Sequence, residues 1–317
     1  MIYQHPLAYL IGLEGLALLR AWAGDHDYDK EFVTARLAET RQLLDDETLT
    51  THPGVLVERD ATGTAYEQWA IGYDDPGNDL FDLDEPLIDL IVDTLPVGTA
   101  VDAACGTGRL TSRLIQRGHR VVGVDSSLDM VHQARGRLPD ADLVVGDLHR
   151  LPLPTDLADL VVTGLALTHV ADLRPVFAEA ARVLRPGGHL IISDVHHDLV
   201  LLGSVVKALG SAGQPQMATT HRHTTADFLL ASLGAGFSLL GYDEQPRPSR
   251  PDGPAPEPTH EIGSWQDWPW TLLGLVPEAT RAAWNNPAVI VWHFQLADVL
   301  SGPGELTLCS CGRRTPE

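Results

Sequence analysis

The sequence predicts an α/β domain built on a parallel sheet, with right-handed crossovers and helices on both faces. Three observations predict it. From Thr99 onward short β-rich runs alternate with helical segments, which is the pattern of βαβ units. The first run delivers Asp102 into a tight turn that carries Gly106 and Gly108. A later apolar run, Val121-Val122-Gly123-Val124, ends on a second carboxylate, Asp125, nineteen residues after Gly106, the place from which a carboxylate reaches ribose hydroxyls.

The elements follow in order. Leu7, Leu10, Ile11, Leu18 and Trp22 recur at helical spacing after Pro6, and Phe32, Val33, Leu37, Leu43 and Leu44 mark a second helix after an Asp-rich turn. Residues 1–60 thus read as an N-terminal helical cap. Residues 61–300 hold the core: TAVDAA then helix TSRLIQRG, RVVGVD then helix SLDMVHQARGRL, DLVVGD, DLVVTGLAL then helix RPVFAEAARVL, and HLIISDV. A helix from Thr225 to Gly236, a strand SLLGYDE and a late strand AVIVWHFQL complete it. Between the last two strands, Pro246, Pro248, Pro251, Pro254, Pro256 and Pro258 exclude helix and inner strand. This insertion spans about residues 243–287, its loop from 245 to about 262 anchored by Trp265, Trp268 and Trp270, and residues 301–317 form a tail.

Composition narrows the partners. The chain has 317 residues, 43 Asp plus Glu against 22 Lys plus Arg, and a formal charge of −21; such a surface repels phosphate backbones and anionic headgroups, so neither nucleic acid nor membrane is expected as a partner. The longest apolar run, Leu160 to Leu167, is far short of a membrane span. The apolar N-terminus lacks a basic leader and contains Glu14, which reads as an amphipathic helix rather than a signal peptide. Three cysteines, Cys105, Cys309 and Cys311, suit a reducing cytoplasm, and the C-x-C pair lacks the second pair that a zinc site needs. No metal is expected, and a monomer or homodimer is.

The acid before the turn bears on the cofactor. A dinucleotide places its pyrophosphate over the glycine turn, where Asp102 would be unhelpful, and Thr111 stands where G-x-G-x-x-G needs its third glycine. An adenosine that carries an amino acid brings an ammonium instead of phosphates, so S-adenosylmethionine (SAM) suits these residues better than NAD. Asp125 has a second reading as a helix N-cap shared with Ser126 and Ser127, and one residue can do both.

Four segments in order, VDAACGTG, VVGVDSS, VVGDLHRLPLP and DLVVTGLALTHV followed by RVLRPGGHLIISD, resemble class I SAM-dependent methyltransferases of the small-molecule type, similar to the ubiquinone and menaquinone biosynthesis enzymes. The resemblance spans about residues 99–195. It implies a Rossmann-like, doubly wound, mostly parallel seven-stranded sheet whose last strand, AVIVWHFQL, is antiparallel. It implies roles for Asp102 at the turn and methionine moiety, for Ala104, Cys105, Gly106 and Gly108 in the turn, and for Asp125 and Ser126 at the ribose. Met130 joins this cofactor set, and Asp147 with Leu148 would receive the adenine. Asp147 also reads as a loop residue bonded to its own backbone. The family often has glycine where Ala104 stands.

For the acceptor, alignment behind an already electrophilic methyl is the main task, and a histidine near neutrality is the natural base for a hydroxyl or ammonium. His169 after the fourth strand is the first candidate, His196 and His197 after Asp194 the next, and Tyr73 a further contact. His221 and His223 read either as groups closing over the acceptor or as solvated residues, and His293 as structural. The three tryptophans read equally as an aromatic acceptor wall or as pins for the loop. The carboxylate-rich run from Asp60 to Asp102, eleven acids and no Lys or Arg, reads as a solvated face or as a lure for a cationic acceptor. The expected function is methyl transfer to a small molecule. Its rivals are a SAM-binding protein with cyclising or decarboxylating chemistry, an NAD-dependent oxidoreductase that lacks any Tyr-x-x-x-Lys dyad, and a noncatalytic binding module.

Overall fold

The computed structural model describes residues 1–25, 28–60, 79–246, 256–284 and 286–298. Tyr73, Cys309, Cys311, the tail 301–317 and the middle of the proline-rich stretch lie outside the described residues. In chain order, β1 (Ile2–Gln4), α1 (Pro6–Ala23), α2 (Lys30–Asp45), α3 (Glu47–Thr50) and β2 (Val55–Asp60) precede α4 (Asp79–Val92). The core continues with β3 (Thr99–Ala103), α5 (Arg109–Gln116), β4 (Arg120–Asp125), α6 (Leu128–Arg137), β5 (Asp142–Val145), β6 (Ala158–Gly164), α7 (Leu173–Val183) and β7 (Leu184–Val195). Then come α8 (His197–Leu201), β8 (Lys207–Leu209), β9 (Pro215–Ala218), α9 (Thr225–Gly234), β10 (Phe237–Pro246), α10 (Pro277–Ala283) and β11 (Pro287–Leu296).

Seven strands form the main sheet in the order β10-β11-β7-β6-β3-β4-β5. Neighbours from β7 to β5 are parallel, and β11 runs antiparallel to both β7 and β10. This is the Rossmann-like, doubly wound sheet with its last strand reversed. Alternation sends Val101, Val161 and Ile192 into a cluster with Phe177 and Phe228, while Ala100, Leu160 and Ile191 pack with Ile88, Leu110 and Leu114 on the other face. Both faces are covered, which is why these strands read as continuous apolar runs. Because β4 and β6 flank β3 on opposite sides, the carboxyl ends of β3 and β6 open a crevice, the place where such sheets bind ligands.

The N-terminal region is more than helices. β1 and β2 join β8 and β9, which arise after β7, in a second sheet of order β1-β2-β9-β8. Its strands are three to six residues long, too short to leave a periodic signature. α1 packs Leu10, Leu13 and Ala17 into one cluster with Ala279, Ala282 and Trp284. It is the one described helix long and apolar enough to cross a membrane. It also carries Glu14, buried against Arg36 at 3.0 Å and pushed up to about 8 by that burial. β10 runs on to Pro246, so the strand continues past the expected start of the insertion. Trp265 and Trp268 are buried in the same cluster as α1, where the Lys207 ammonium donates to their carbonyls at 2.6 and 2.5 Å. Trp265 and Trp268 thus pin their segment to the core, whereas Trp270 is 43% exposed.

The acidic run has a structural use. Glu85, Asp89 and Asp93 recur every four residues along and just beyond α4 and face Arg109, Arg113 and Arg117 on and after α5. Glu85 meets Arg109 at 3.1 Å and Arg113 at 2.8 Å, Asp89 meets Arg113 and, at 2.9 Å, Arg117, and Asp93 meets Arg117 at 2.7 Å. These three acids form an interhelical ladder.

Candidate active site

The turn after β3 needs positive φ three times: Ala104 at 63°, Gly106 at 53° and Gly108 at 89°. The last two are glycines, which adopt it freely, whereas an alanine there costs about 1 kcal/mol. The turn is held by bonds from the Cys105 N–H to Val124 O at 3.0 Å and from the Gly108 N–H to Cys105 O at 2.9 Å. Its principal brace is Asp125. One carboxylate oxygen accepts the Gly106 N–H at 2.8 Å and the other the Ser127 N–H at 2.8 Å. Burial raises this carboxyl above the ordinary range, against the backbone bonds that lower it. The cap of α6 is Ser127, whose hydroxyl accepts from the Met130 N–H.

Four loops at the carboxyl edge enclose a cavity of about 220 Å³. Ala104 and Gly106 come from the first, and Asp125, Ser126, Ser127 and Met130 from the second. Gly146, Asp147, Leu148 and His149 come from the third, and Gly164, Leu165, Ala166, His169 and Val170 from the fourth. Of the expected cofactor residues the cavity thus gathers Ala104, Gly106, Asp125, Ser126, Met130, Asp147 and Leu148. Three do not line it. Asp102 is 1% exposed and accepts the Thr111 hydroxyl at 2.6 Å, behind the turn, its carboxyl pushed up to about 6 by burial. Cys105 packs with Val131, Ala134 and Leu143, and burial raises its thiol far above the nucleophilic range. Gly108 is the N-cap of α5, and a Cβ on it would come within 2.9 Å of Leu138.

Asp147 is both a cavity residue and a loop residue bonded to nearby backbone. It lines the cavity, and its Oδ1 also accepts the His149 N–H at 2.7 Å and meets His149 Nδ1 at 2.6 Å, bonds that hold it below the usual carboxylate range. Gly146, Gly164, Leu165 and His149 were missed by sequence reasoning. The only signal for the first three was position: each sits at or just past a strand's carboxyl end.

His169 ends a short 3-10 turn, Leu167–His169, on the cavity wall. Its Nδ1 lies 2.9 Å from the Thr219 carbonyl, which can only accept, so Nδ1 carries the proton and Nε2 is the basic nitrogen. Burial and the neighbouring His221 lower its pKa, favouring the neutral ring. Under this turn Asp194, 1% exposed, accepts the Val195 N–H at 2.9 Å and the Thr168 N–H, and burial pushes it up to about 7. Across the turn Thr168 O accepts the His221 N–H at 2.7 Å, and His223 Nε2 meets Val170 O at 2.7 Å.

His196 and His197 do not line the cavity. His196 is the N-cap of α8, accepting the Asp198 N–H at 3.2 Å, and its Nε2 lies 3.3 Å from Glu244. The His197 ring sits 4.1 Å from it. With Asp198 they make a group compact enough for a metal, but the His196 Nδ1 lone pair is already spent on the cap. His293 meets His189 at 2.9 Å between β11 and β7, a structural position. Tyr73 is outside the described residues.

The lining tests the cofactor. Among the described residues it offers two carboxylates, several backbone groups at strand ends, and neither Lys nor Arg. That donor set suits hydroxyls, an exocyclic amine and an ammonium, and is a poor match for a pyrophosphate. Residues 101–192 match the model of a methyltransferase domain family. The malonyl-[acyl-carrier protein] O-methyltransferase of Serratia marcescens is 30% identical over 187 residues, 59% of this chain and 70% of that protein. The demethylmenaquinone methyltransferase of Renibacterium salmoninarum is 33% identical over 111 residues, 34% of this chain and 47% of that protein. The chain spans about half or less of the length of several relatives, 47% here and 33% of an uncharacterised Streptomyces fradiae transposon protein. Among solved structures the DhpI–SAH complex has a TM-score of 0.51 at 18% identity, over 74% of this chain and 94% of that one, a likeness of fold. The chain belongs to the SAM-dependent methyltransferases, and its cofactor is SAM.

Proposed function

We propose that the chain methylates a small molecule by in-line displacement, with the cavity between β3 and β6 as the cofactor site and His169 as the general base. SAM supplies an electrophilic methyl on a sulfonium. The chain's own residues supply the rest: Asp125 accepts from the ribose, Asp147 and Leu148 hold the adenine, and the Gly106 turn lets backbone approach closely. The observation that carries this reading is that four separate loops bring two acceptor carboxylates and two histidines whose Nδ1 faces an acceptor, His149 and His169, into a single cavity. A base with its proton on Nδ1 and a lowered pKa is ready to take a proton at Nε2 near neutral pH, worth about 10²–10⁴ in rate. A small-molecule acceptor agrees with the demethylmenaquinone methyltransferase named above and with the charge of −21, which disfavours a nucleic-acid track.

The test is transfer of labelled methyl from SAM into a pool of small metabolites, with S-adenosylhomocysteine binding measured beside it. Labelled product supports the reading. Binding without any labelled product in a broad pool turns it toward non-methylating chemistry on the same cofactor, and no binding removes the site.

A further inference from the structure

We propose that Asp84 is a positioning residue for the cofactor: its forked ion pair with Arg109, shared with Ser193, fixes the cavity wall formed by Gly164. The inference rests on the cavity being the cofactor site. Asp84 lies in α4 and is 0% exposed. Both of its oxygens are engaged by Arg109, Nη1 to Oδ1 at 2.8 Å and Nη2 to Oδ2 at 2.8 Å, and Oδ2 also accepts the Ser193 hydroxyl at 2.7 Å. Three elements meet at this one carboxylate.

Two of them lead straight to the cavity. Arg109 is the first residue of α5, immediately after Gly108 of the turn. Ser193 pairs with Gly164 between β7 and β6, and its carbonyl accepts the Leu165 N–H at 2.8 Å. Gly164 shows how tightly they close: a Cβ there would lie 3.1 Å from Arg109 Nη2, 3.3 Å from Ser193 Oγ and 2.8 Å from Leu110. The guanidinium and the hydroxyl therefore press on the back of a residue that lines the cavity. An apolar contact could slide here. A planar fork fixes distance and orientation together, so Asp84 sets the separation between the glycine turn and the end of β6, the two walls between which a ligand must fit.

The outer rungs of the ladder supply the contrast. Arg113 with Asp89 joins the same two helices, and among the described residues their ion pairs reach Glu85 and Arg117 rather than the cavity lining. Calorimetry with S-adenosylhomocysteine should compare the full chain with Asp84→Asn, Arg109→Lys and Asp89→Asn, at a temperature where circular dichroism shows each folded. The expected result is at least tenfold weaker binding for Asp84→Asn and Arg109→Lys, and binding within twofold of the parent for Asp89→Asn, whatever the loss in Tm. Equal weakening by Asp89→Asn would mean general loosening and overturn the proposal, as would unchanged binding by folded Asp84→Asn. Should that variant not fold, Arg109→Lys, which keeps the charge and loses the fork, decides the matter by the same criterion. Asp125→Ala serves as the reference: if it binds as the parent does, the cavity reading falls and the inference with it, whereas indifference confined to the Asp84 and Arg109 variants removes the inference alone.

Discussion

Replacing Asp125 by alanine removes one carboxylate and two distinct functions. The first is the proposed hydrogen bond to a ribose hydroxyl, a bond to a charged acceptor worth about 1.5–3 kcal/mol, or about 10- to 150-fold in affinity. The second is the brace: the Gly106 and Ser127 N–H groups each lose an acceptor at 2.8 Å. The brace adds to the loss, which makes about tenfold the floor. Asp125→Asn keeps one acceptor oxygen and therefore one backbone bond, and should fall between parent and alanine variant. Titration calorimetry with S-adenosylhomocysteine reads all three. An alanine variant that stays folded and binds within twofold of the parent would refute the assignment of this cavity.

Other residues give independent checks. Ala104→Gly relieves a left-handed alanine and should raise stability by about 0.5–1 kcal/mol in a denaturant titration, without loss of cofactor affinity. His169→Gln should lower kcat by about 10²–10⁴ and leave S-adenosylhomocysteine binding within twofold; an unchanged kcat would remove it as the base. Asp194 has a folded pKa raised to about 7 by burial, so the folded state binds its proton more tightly than the unfolded chain does. Its contribution is fully present below about pH 4 and is lost as pH rises to about 7. Asp194→Asn should therefore flatten the decline of Tm over that window and raise Tm at pH 8; a variant with the parent's pH profile would contradict the burial argument.

The main sheet was legible because its strands are buried on both faces. Val101, Val122 and Val161 sit in register on adjacent parallel strands, and burial of that kind forces apolar runs that a reader of sequence can find. The small sheet was not legible. β1 and β8 have three residues each, and β9 has four and begins with a proline. Lys207 and Met217 pair locally in the β8–β9 hairpin, but the pairings that assemble the sheet join Ile2 to Val57 and Glu58 to Gln216, too far apart along the chain for a local pattern to record. The ladder between α4 and α5 was half visible: the four-residue spacing of Glu85, Asp89 and Asp93 is in the sequence, but its meaning depends on Arg109, Arg113 and Arg117 lying opposite.

The same distinction separates the candidate residues that line the cavity from those that do not. Asp125 and Asp147 end or follow strands whose carboxyl edge is the ligand edge, so position along the chain was enough. Asp102 sits within β3, one residue before its end, and pleating decides which way it points. Strand alternation places it on the same face as Ala100, packed against α5, where Thr111 is waiting for it. Its acidity therefore acts on the cofactor only through the turn, as support. His169 makes the complementary case. Its place after β6 was readable, yet the atom that fixes its tautomer belongs to Thr219, at the exit of a strand in the small sheet. The reactivity of the candidate base is thus set by the part of the fold that the sequence hides, and a change that unpairs β2 from β9 should alter the pH dependence of kcat before it alters cofactor affinity.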